Sequence, residues 1–311
     1  MQRELGKDLV LDLGYVGTRG VGLMILGDYN QARPNAAPAE NLSLQARRPI
    51  QNFSFIQVAF NGGFLNYHAF QAKLEKRFSR GLYLLNSFTW SKAIDNASGH
   101  LETGNGDNSR VNYRDLRNEK GLGGYDQPFN NVTTLLYELP FGRGRKFGSS
   151  WNKAADLALG GWRMTAINFA QSGTTVNLTY NPASAFQVSG APNYRPNITG
   201  DPVTPAASRT ENNWLNPANV SIPTDRSQPF GNAGRNIVRG PRADVMNFGL
   251  HKEFALTERF KLEFRSEAFN LLNKTNFDSP NSNRSSGGFG TITSTNNNPA
   301  RQIQFALRLA F

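Results

Sequence analysis

RQIQFALRLAF, residues 301–311, decides the fold. In an extended chain Ile303, Phe305, Leu307, Leu309 and Phe311 fall on one side, and Gln302, Gln304, Ala306, Arg308 and Ala310 on the other. Side chains alternate across a strand with period two, so one face is apolar and the other polar or small. A half-buried strand of a soluble sheet alternates in the same way. The length separates the two readings, because a tilted membrane-spanning strand needs roughly 9–11 residues. The stretch therefore predicts a strand long enough to cross a bilayer, with its greasy face toward lipid.

Composition agrees with many strands and long polar loops. Hydrophobic residues make up 38% of the 311 residues, Gly numbers 30, and Phe (22) far outnumbers Tyr (9); the apolar share is low for a compact soluble domain. There is no cysteine, which excludes disulfides and thiolate metal sites. No run approaches the roughly 18 apolar residues of a membrane helix. The opening residues MQRELGKDLV have no apolar leader or small-residue cleavage site, so an outer-membrane reading makes this sequence a fragment or a truncated gene product. The formal net charge of +11 suits nucleic-acid binding only if the basic residues form a patch or stripe. They are instead interleaved with acids and apolar residues or set in turns, as with Arg143, Arg145 and Lys146, and no nucleic-acid partner is expected.

Strand-like stretches recur along the chain. The pattern predicts strands near Leu9–Val16, Gln51–Phe60, Tyr67–Phe78, Leu82–Ala93, Asn131–Leu139, Trp162–Gln171, Val245–Phe254 and Phe260–Leu272, before the terminal strand. A turn at Asn61-Gly62-Gly63 separates the second from the third, and Ser79-Arg80-Gly81 the third from the fourth. Long polar stretches fall at 95–128, 172–242 and 273–299. Short turns alternating with long loops are the habit of transmembrane barrels, whose long loops are extracellular; a soluble sandwich has shorter strands at 8–12-residue spacing. With the C-terminus in the periplasm, the three long loops lie outside. The 18–49 stretch then becomes a long periplasmic link unless a short strand lies near Gly22–Asp28. The count is nine or ten strands.

The hairpin around residue 257 tests the two-faced reading. Met246, Phe248 and Leu250, then Phe260, Leu262 and Phe264, form the expected lipid face; Lys261, Glu263, Arg265 and Glu267 form the expected interior. An Arg or Lys aimed at the bilayer midplane costs roughly 2–4 kcal/mol, so four successive charges need water or opposite charges beside them. A lumen supplies both. On Leu82–Ala93, Leu84, Phe88 and Trp90 share the apolar face with one exception, Asn86.

Several segments then carry a family resemblance: NYHAFQAKLEKRFSRGLYLLNSFTWSKAID (Asn66–Asp95), YELPFGRGRKF (Tyr137–Phe147), LGGWRMTAINFAQSGT (Leu159–Thr174), GNAGRNIVRGP (Gly231–Pro241), LTERFKLEFRSEAFNLLNKTNF (Leu256–Phe277), FGTITST (Phe289–Thr295) and the terminal NPARQIQFALRLAF. Taken in order, they resemble the C-terminal barrel of TonB-dependent receptors, in particular the Oar-like subgroup. The resemblance implies an all-β, antiparallel transmembrane barrel in the bacterial outer membrane, with residues 1–311 forming the C-terminal part of one barrel domain. It implies a 22-stranded parent with a plug, energised by TonB through N-terminal parts that this sequence lacks. It also implies outer-membrane lipid and lipopolysaccharide as neighbours, recognition of the terminal strand by the barrel-assembly machinery, and uptake or binding of a bulky nutrient of unidentified kind. A barrel anchoring adhesive loops, or a soluble all-β binding module, are the alternatives.

The chain is not expected to be an enzyme, and no catalytic, cofactor-binding or metal-ligating residue is assigned. His68, His100 and His251 are scattered and read as interfacial or surface residues. Glu263 and Glu267 share a strand face about 13 Å apart, beyond the roughly 5–9.5 Å of a glycosidase pair. Gly142, Gly144 and Gly148 lack the Lys-Ser/Thr of a phosphate loop and read as a turn. Asn105-Gly106-Asp107-Asn108 lacks the ligand register of a calcium loop.

Overall fold

The computed structural model describes residues 1–311 except 38, 99–110, 189–193, 258 and 297–298. Among the described residues one sheet dominates. Its strands are β1 (Gln2–Gly6), β2 (Leu9–Asp28), β3 (Gln57–Ser79), β4 (Leu82–Asp95), β5 (Phe129–Glu138), β6 (Trp162–Gln171), β7 (Ala243–Ala255), β8 (Lys261–Phe269) and β9 (Gln302–Ala310). They pair in chain order, each antiparallel to its neighbours. The two-residue strand Gly121–Leu122 adds to β4 beyond the end of β5 and makes a tenth. The two outer strands, β1 and β9, do not pair with each other, so the sheet is an open, partial barrel. No described helix is long and apolar enough to cross a membrane.

The first half of the sheet corrects the sequence reading. Gln51–Phe60 and Tyr67–Phe78 are not two strands around a turn: β3 runs unbroken through Asn61-Gly62-Gly63 from Gln57 to Ser79. β2 likewise runs for 20 residues and absorbs the Gly22–Asp28 stretch. The glycines mark a bulge. The β2–β3 register slips between Val21 and Leu23 and again before Ile25, and Gly22 has a φ of 67°. A Cβ on Gly63 would stand 2.8 Å from the Leu23 carbonyl oxygen, so glycine there permits close approach of the bulged neighbour. The 29–56 connection therefore joins the other long loops at one end of the sheet, and the supposed link at the opposite end disappears.

That opposite end carries short turns. Arg80 (φ 51°) and Gly81 (φ 79°) form the two-residue β3–β4 turn, both in the left-handed region that matches hairpin twist. The β5–β6 connection is longer and holds one short helix, α1 (Lys153–Leu159), started by the Asn152 side chain accepting from the Ala155 amide at 2.8 Å. The sequence pattern there predicts only a basic turn; α1 is too short to show an apolar repeat.

A conventional core lies in the loops rather than against the strands. Val176, Leu178, Leu215, Val220, Val238 and Phe289 form one buried cluster, and Tyr180, Val188 and Tyr194 a second. Two small ribbons, 175–176 with 238–239 and 197–198 with 220–221, brace them. The 172–242 stretch, irregular by its sequence, is thus a packed body. Local pattern hides it because its strands are two residues long and its apolar partners come from distant positions.

Candidate functional site

Register sorts the sheet into two faces. On one, directly opposed residues give the rows Leu82–Tyr137–Met164–Leu250–Ser266–Phe305 and Trp162–Lys252–Phe264–Leu307. Toward the loop end comes an aromatic row, Tyr15–Phe70–Trp90–Phe129. Large side chains of this face stand open, Tyr15 at 70% and Trp90 at 65% exposure. Eight residues separate Trp90 from Leu82, roughly 26 Å along a strand, comparable with the apolar band of about 25 Å of an outer-membrane barrel.

Two polar intrusions on this face are satisfied internally. The Asn86 amide donates to Asn131 Oδ1 (2.9 Å) and Thr133 Oγ1 (2.8 Å), which accounts for the exception in the sequence pattern. Lys252 is buried, donates to the Gly160 carbonyl (2.5 Å) and lies over the Trp162 and Phe254 rings. A buried polar group that keeps its hydrogen bonds costs far less than an orphaned one.

The other face is charged toward the turn end. Glu138, Arg163, His251 and Arg265 stand directly opposite one another on β5, β6, β7 and β8. Glu263 receives Arg265 at 2.7 Å and Arg163 at 3.7 Å, while Arg145 reaches Glu138 at 3.1 Å. Gln304 donates to Glu267 at 2.5 Å, so Glu263 and Glu267 serve separate partners. Glu138, Arg145, Arg163, His251 and Glu263 border a recess of about 280 Å³. His251 is 8% exposed, with Nε2 3.1 Å from Thr165 Oγ1. It is a wall residue, not the interfacial or surface residue its isolation in sequence suggests. His68 is exposed on the apolar face, and His100 with the Asn105–Asn108 cluster lies outside the described residues. Among the described residues, no group of three or more His, Asp and Glu could hold a metal.

At the loop end the same face is roofed. Arg235 donates to Asp95 Oδ1 (2.6 Å) and to the Glu119 carbonyl (3.3 Å). Arg195 pairs with Glu119 (3.1 Å) and bonds the Asn118 and Ala233 carbonyls, and Arg239 pairs with Asp126. All these carboxylates are buried. Arg47 ties the 29–56 loop to Gln187 O (2.8 Å), and Asn35 ties it to Ala185 O (2.7 Å). Arg284 brings in the last loop by bonding Val220 O at 2.7 Å. The four long loops are one cap, stitched by arginines because a planar guanidinium can serve a carboxylate and several carbonyls at once. On its surface the Arg33 guanidinium and the Ala36 amide hold the Glu40 carboxyl down at about 2, and burial pushes the Tyr194 hydroxyl up to about 12.

The arrangement tells what could and could not have been read. Arg265, Glu263 and Glu267 follow from period two. Glu138, Arg163 and His251 were missed, because their alignment depends on the register across the long 139–161 connection. The cap contacts Arg235–Asp95 and Asn35–Ala185 join residues 140 and 150 apart and leave no local signal.

An antiparallel sheet with an exposed apolar band, an opposite face charged toward one end and a loop cap at the other end defines a transmembrane β-barrel. The sequence matches the model of the outer membrane beta barrel domain over residues 1–304; the chain belongs to that family, and its place is the outer membrane. The outer membrane transporter YddB from Escherichia coli has a similar structure, at 12% identity and a TM-score of 0.45, over 99% of this chain and 31% of that one. The chain thus spans under a third of that protein's length. No curated protein matches.

Proposed function

We propose that this chain forms the C-terminal part of the barrel of a TonB-dependent, Oar-like transporter, which takes up or binds a bulky nutrient through its loops and polar wall. The observation that carries the reading is the pairing of the two halves of one face. A loop cap laced by Arg47, Arg195, Arg235 and Arg239 roofs the outer end, and the row Glu138–Arg163–His251–Arg265 lines the wall beneath it. A roofed wall of charged and polar groups suits passage of a polar solute. Energy coupling through TonB belongs to the family resemblance of the ordered segments.

The test uses the full-length gene product in its own cells. Growth on a panel of bulky polymeric and chelated nutrients is compared for the intact gene, its deletion, and a version lacking the 173–243 loop. The transport reading expects deletion and loop removal to abolish growth on the same nutrient, with surface attachment unchanged. Lost attachment with growth intact on every nutrient would sink it in favour of an adhesive anchor.

A further inference from the structure

Three consecutive residues just past the outer end of β2, Tyr29, Asn30 and Gln31, build a cleft in the loop cap. It measures about 440 Å³ and is lined by Tyr29, Pro49, Ile50, Tyr113 and Arg114. Asn30 is fully buried and fixes one side. Its amide nitrogen lies within 2.9 Å of the carbonyls of Ile50, Phe53 and Ser54, and its Oδ1 accepts from the Ile50 amide at 2.9 Å. Gln31, also buried, fixes the other side. Its Oε1 accepts from the Tyr113 amide (2.9 Å), and its carbonyl accepts from Arg114 Nε (3.0 Å) and Nη2 (2.8 Å). The Tyr113 ring stands edge-on to Tyr29 at 6.2 Å and to Phe60 at 5.2 Å. It also lies against Gly27, where a Cβ would come within 2.8 Å of it. Both walls are thus held by buried amides, which lowers the ordering cost of binding.

The lining leaves polar groups over. Tyr29 is 55% exposed, and among the described residues neither tyrosine hydroxyl has a hydrogen-bond partner and Arg114 pairs with no carboxylate. The acids nearest in sequence are engaged elsewhere: Asp28 accepts from the Asn30 and Ile56 amides and faces Arg48, and Asp115 accepts from the Asn118 side chain at 2.6 Å. Arg114 keeps Nη1 for a ligand. A matching ligand has an apolar face for a tyrosine ring, hydroxyls on its edge for the phenols, and an anion for the guanidinium. A pyranose ring offers C–H groups to the electron-rich aromatic face and hydroxyls around its rim. A uronic acid adds a carboxylate, the group that a guanidinium receives best. No single side chain of a peptide offers all three.

We propose that this cleft binds an acidic sugar unit of a polysaccharide at the outer end of the barrel. The ring packs between Tyr29, Tyr113 and the Pro49–Ile50 wall, and Arg114 receives the carboxylate. The assignment gives the transported nutrient its chemical class and rests on the transport reading for that role. Binding to purified protein does not depend on uptake, so the two readings fail separately.

Full-length protein is purified from its own outer membrane in mild detergent and titrated with oligomers of galacturonate, glucuronate and mannuronate, with their methyl esters, and with poly-glutamate. At least one acidic oligomer is expected to bind about tenfold more tightly than its ester and than poly-glutamate, the scale of a charge-assisted contact. Arg114→Gln should remove the preference for acid over ester, and Tyr29→Ala should weaken both. Unchanged chymotryptic cleavage at Phe53 in both variants shows that the cleft walls are still folded. Equal binding of acids and esters by the unaltered protein overturns the carboxylate assignment. Equal binding of poly-glutamate, or no binding of any sugar, overturns the saccharide assignment. An unchanged preference in Arg114→Gln overturns the location.

Discussion

Arg235 shows how this molecule uses its charges. Its guanidinium is almost completely buried, and it meets Asp95, itself buried, at 2.6 Å. Taking both ions out of water is costly, and the pair is tolerable because the Asp95, Glu119 and Ser98 oxygens accept the guanidinium protons. Removing one partner leaves the other buried and uncompensated, a loss of roughly 3–5 kcal/mol. Arg235→Ala is therefore expected to open the cap, seen as faster proteinase K cleavage of loops on intact cells. Replacing both charges, Arg235→Met with Asp95→Leu, should restore most of the resistance, since an apolar pair carries no desolvation cost. Cleavage of Arg235→Ala at the unaltered rate would mean that the pair does not hold the cap.

Among the elements, β9 was the most legible and β3 the least. In β9 every residue obeys period two, and the structure sets Leu307 opposite Phe264 and Gln304 opposite Glu267, as lipid and wall faces require. Regular alternation survives there because the strand has no bulge. In β3 the glycines that read as a turn instead relieve a register slip against Leu23, a tertiary cause that no window of sequence contains. Ile167 and Phe169 fall on the face that carries Arg163, opposite Asn247 and Val245 near the loop end, so that face is charged only toward the turns. The sorting of β9 predicts opposite outcomes for one substitution type. Leu307→Arg places a charge toward lipid and should cost roughly 2–4 kcal/mol, lowering the amount of folded protein recovered from outer membranes. Gln304→Arg meets Glu267 and should leave that amount unchanged. Equal losses from both would contradict the assignment of faces.

At the scale of the whole molecule, the loops form a folded body with its own core, while the strands spend their apolar side chains on lipid. Stability of the outer end is then shared among connections far apart in sequence, and two neighbouring arginines report how. Arg47 is buried because it reaches across to Gln187 and holds Arg33 O (2.6 Å) and Leu42 O (3.2 Å). Burial lowers its pKa, yet an arginine stays charged. Arg48 is buried by contacts within its own loop region: Asn30 O (3.0 Å), Ser54 O (2.7 Å) and Asp28 (3.5 Å). Val176 pairs with Val238, so 177–237 can be replaced by an Asn-Gly turn that closes the ribbon as a hairpin. That replacement removes Gln187 and Ala185, the anchors of the 29–56 loop, but none of Arg48's partners. Trypsin applied to whole cells, with peptides identified by mass spectrometry, should cleave after Arg47 in the shortened protein and not in the intact one. The bonds after Arg33 and Arg48 precede Pro34 and Pro49 and are poor trypsin sites, so the state of Arg48 is read instead at Phe53 with chymotrypsin. Cleavage at Phe53, whose carbonyl Asn30 binds at 2.8 Å, should remain unchanged. Protection of Arg47 with 177–237 gone would show that each loop stands alone. Equal exposure of Arg47 and Phe53 in the shortened protein would show that the 29–56 loop has no stability of its own.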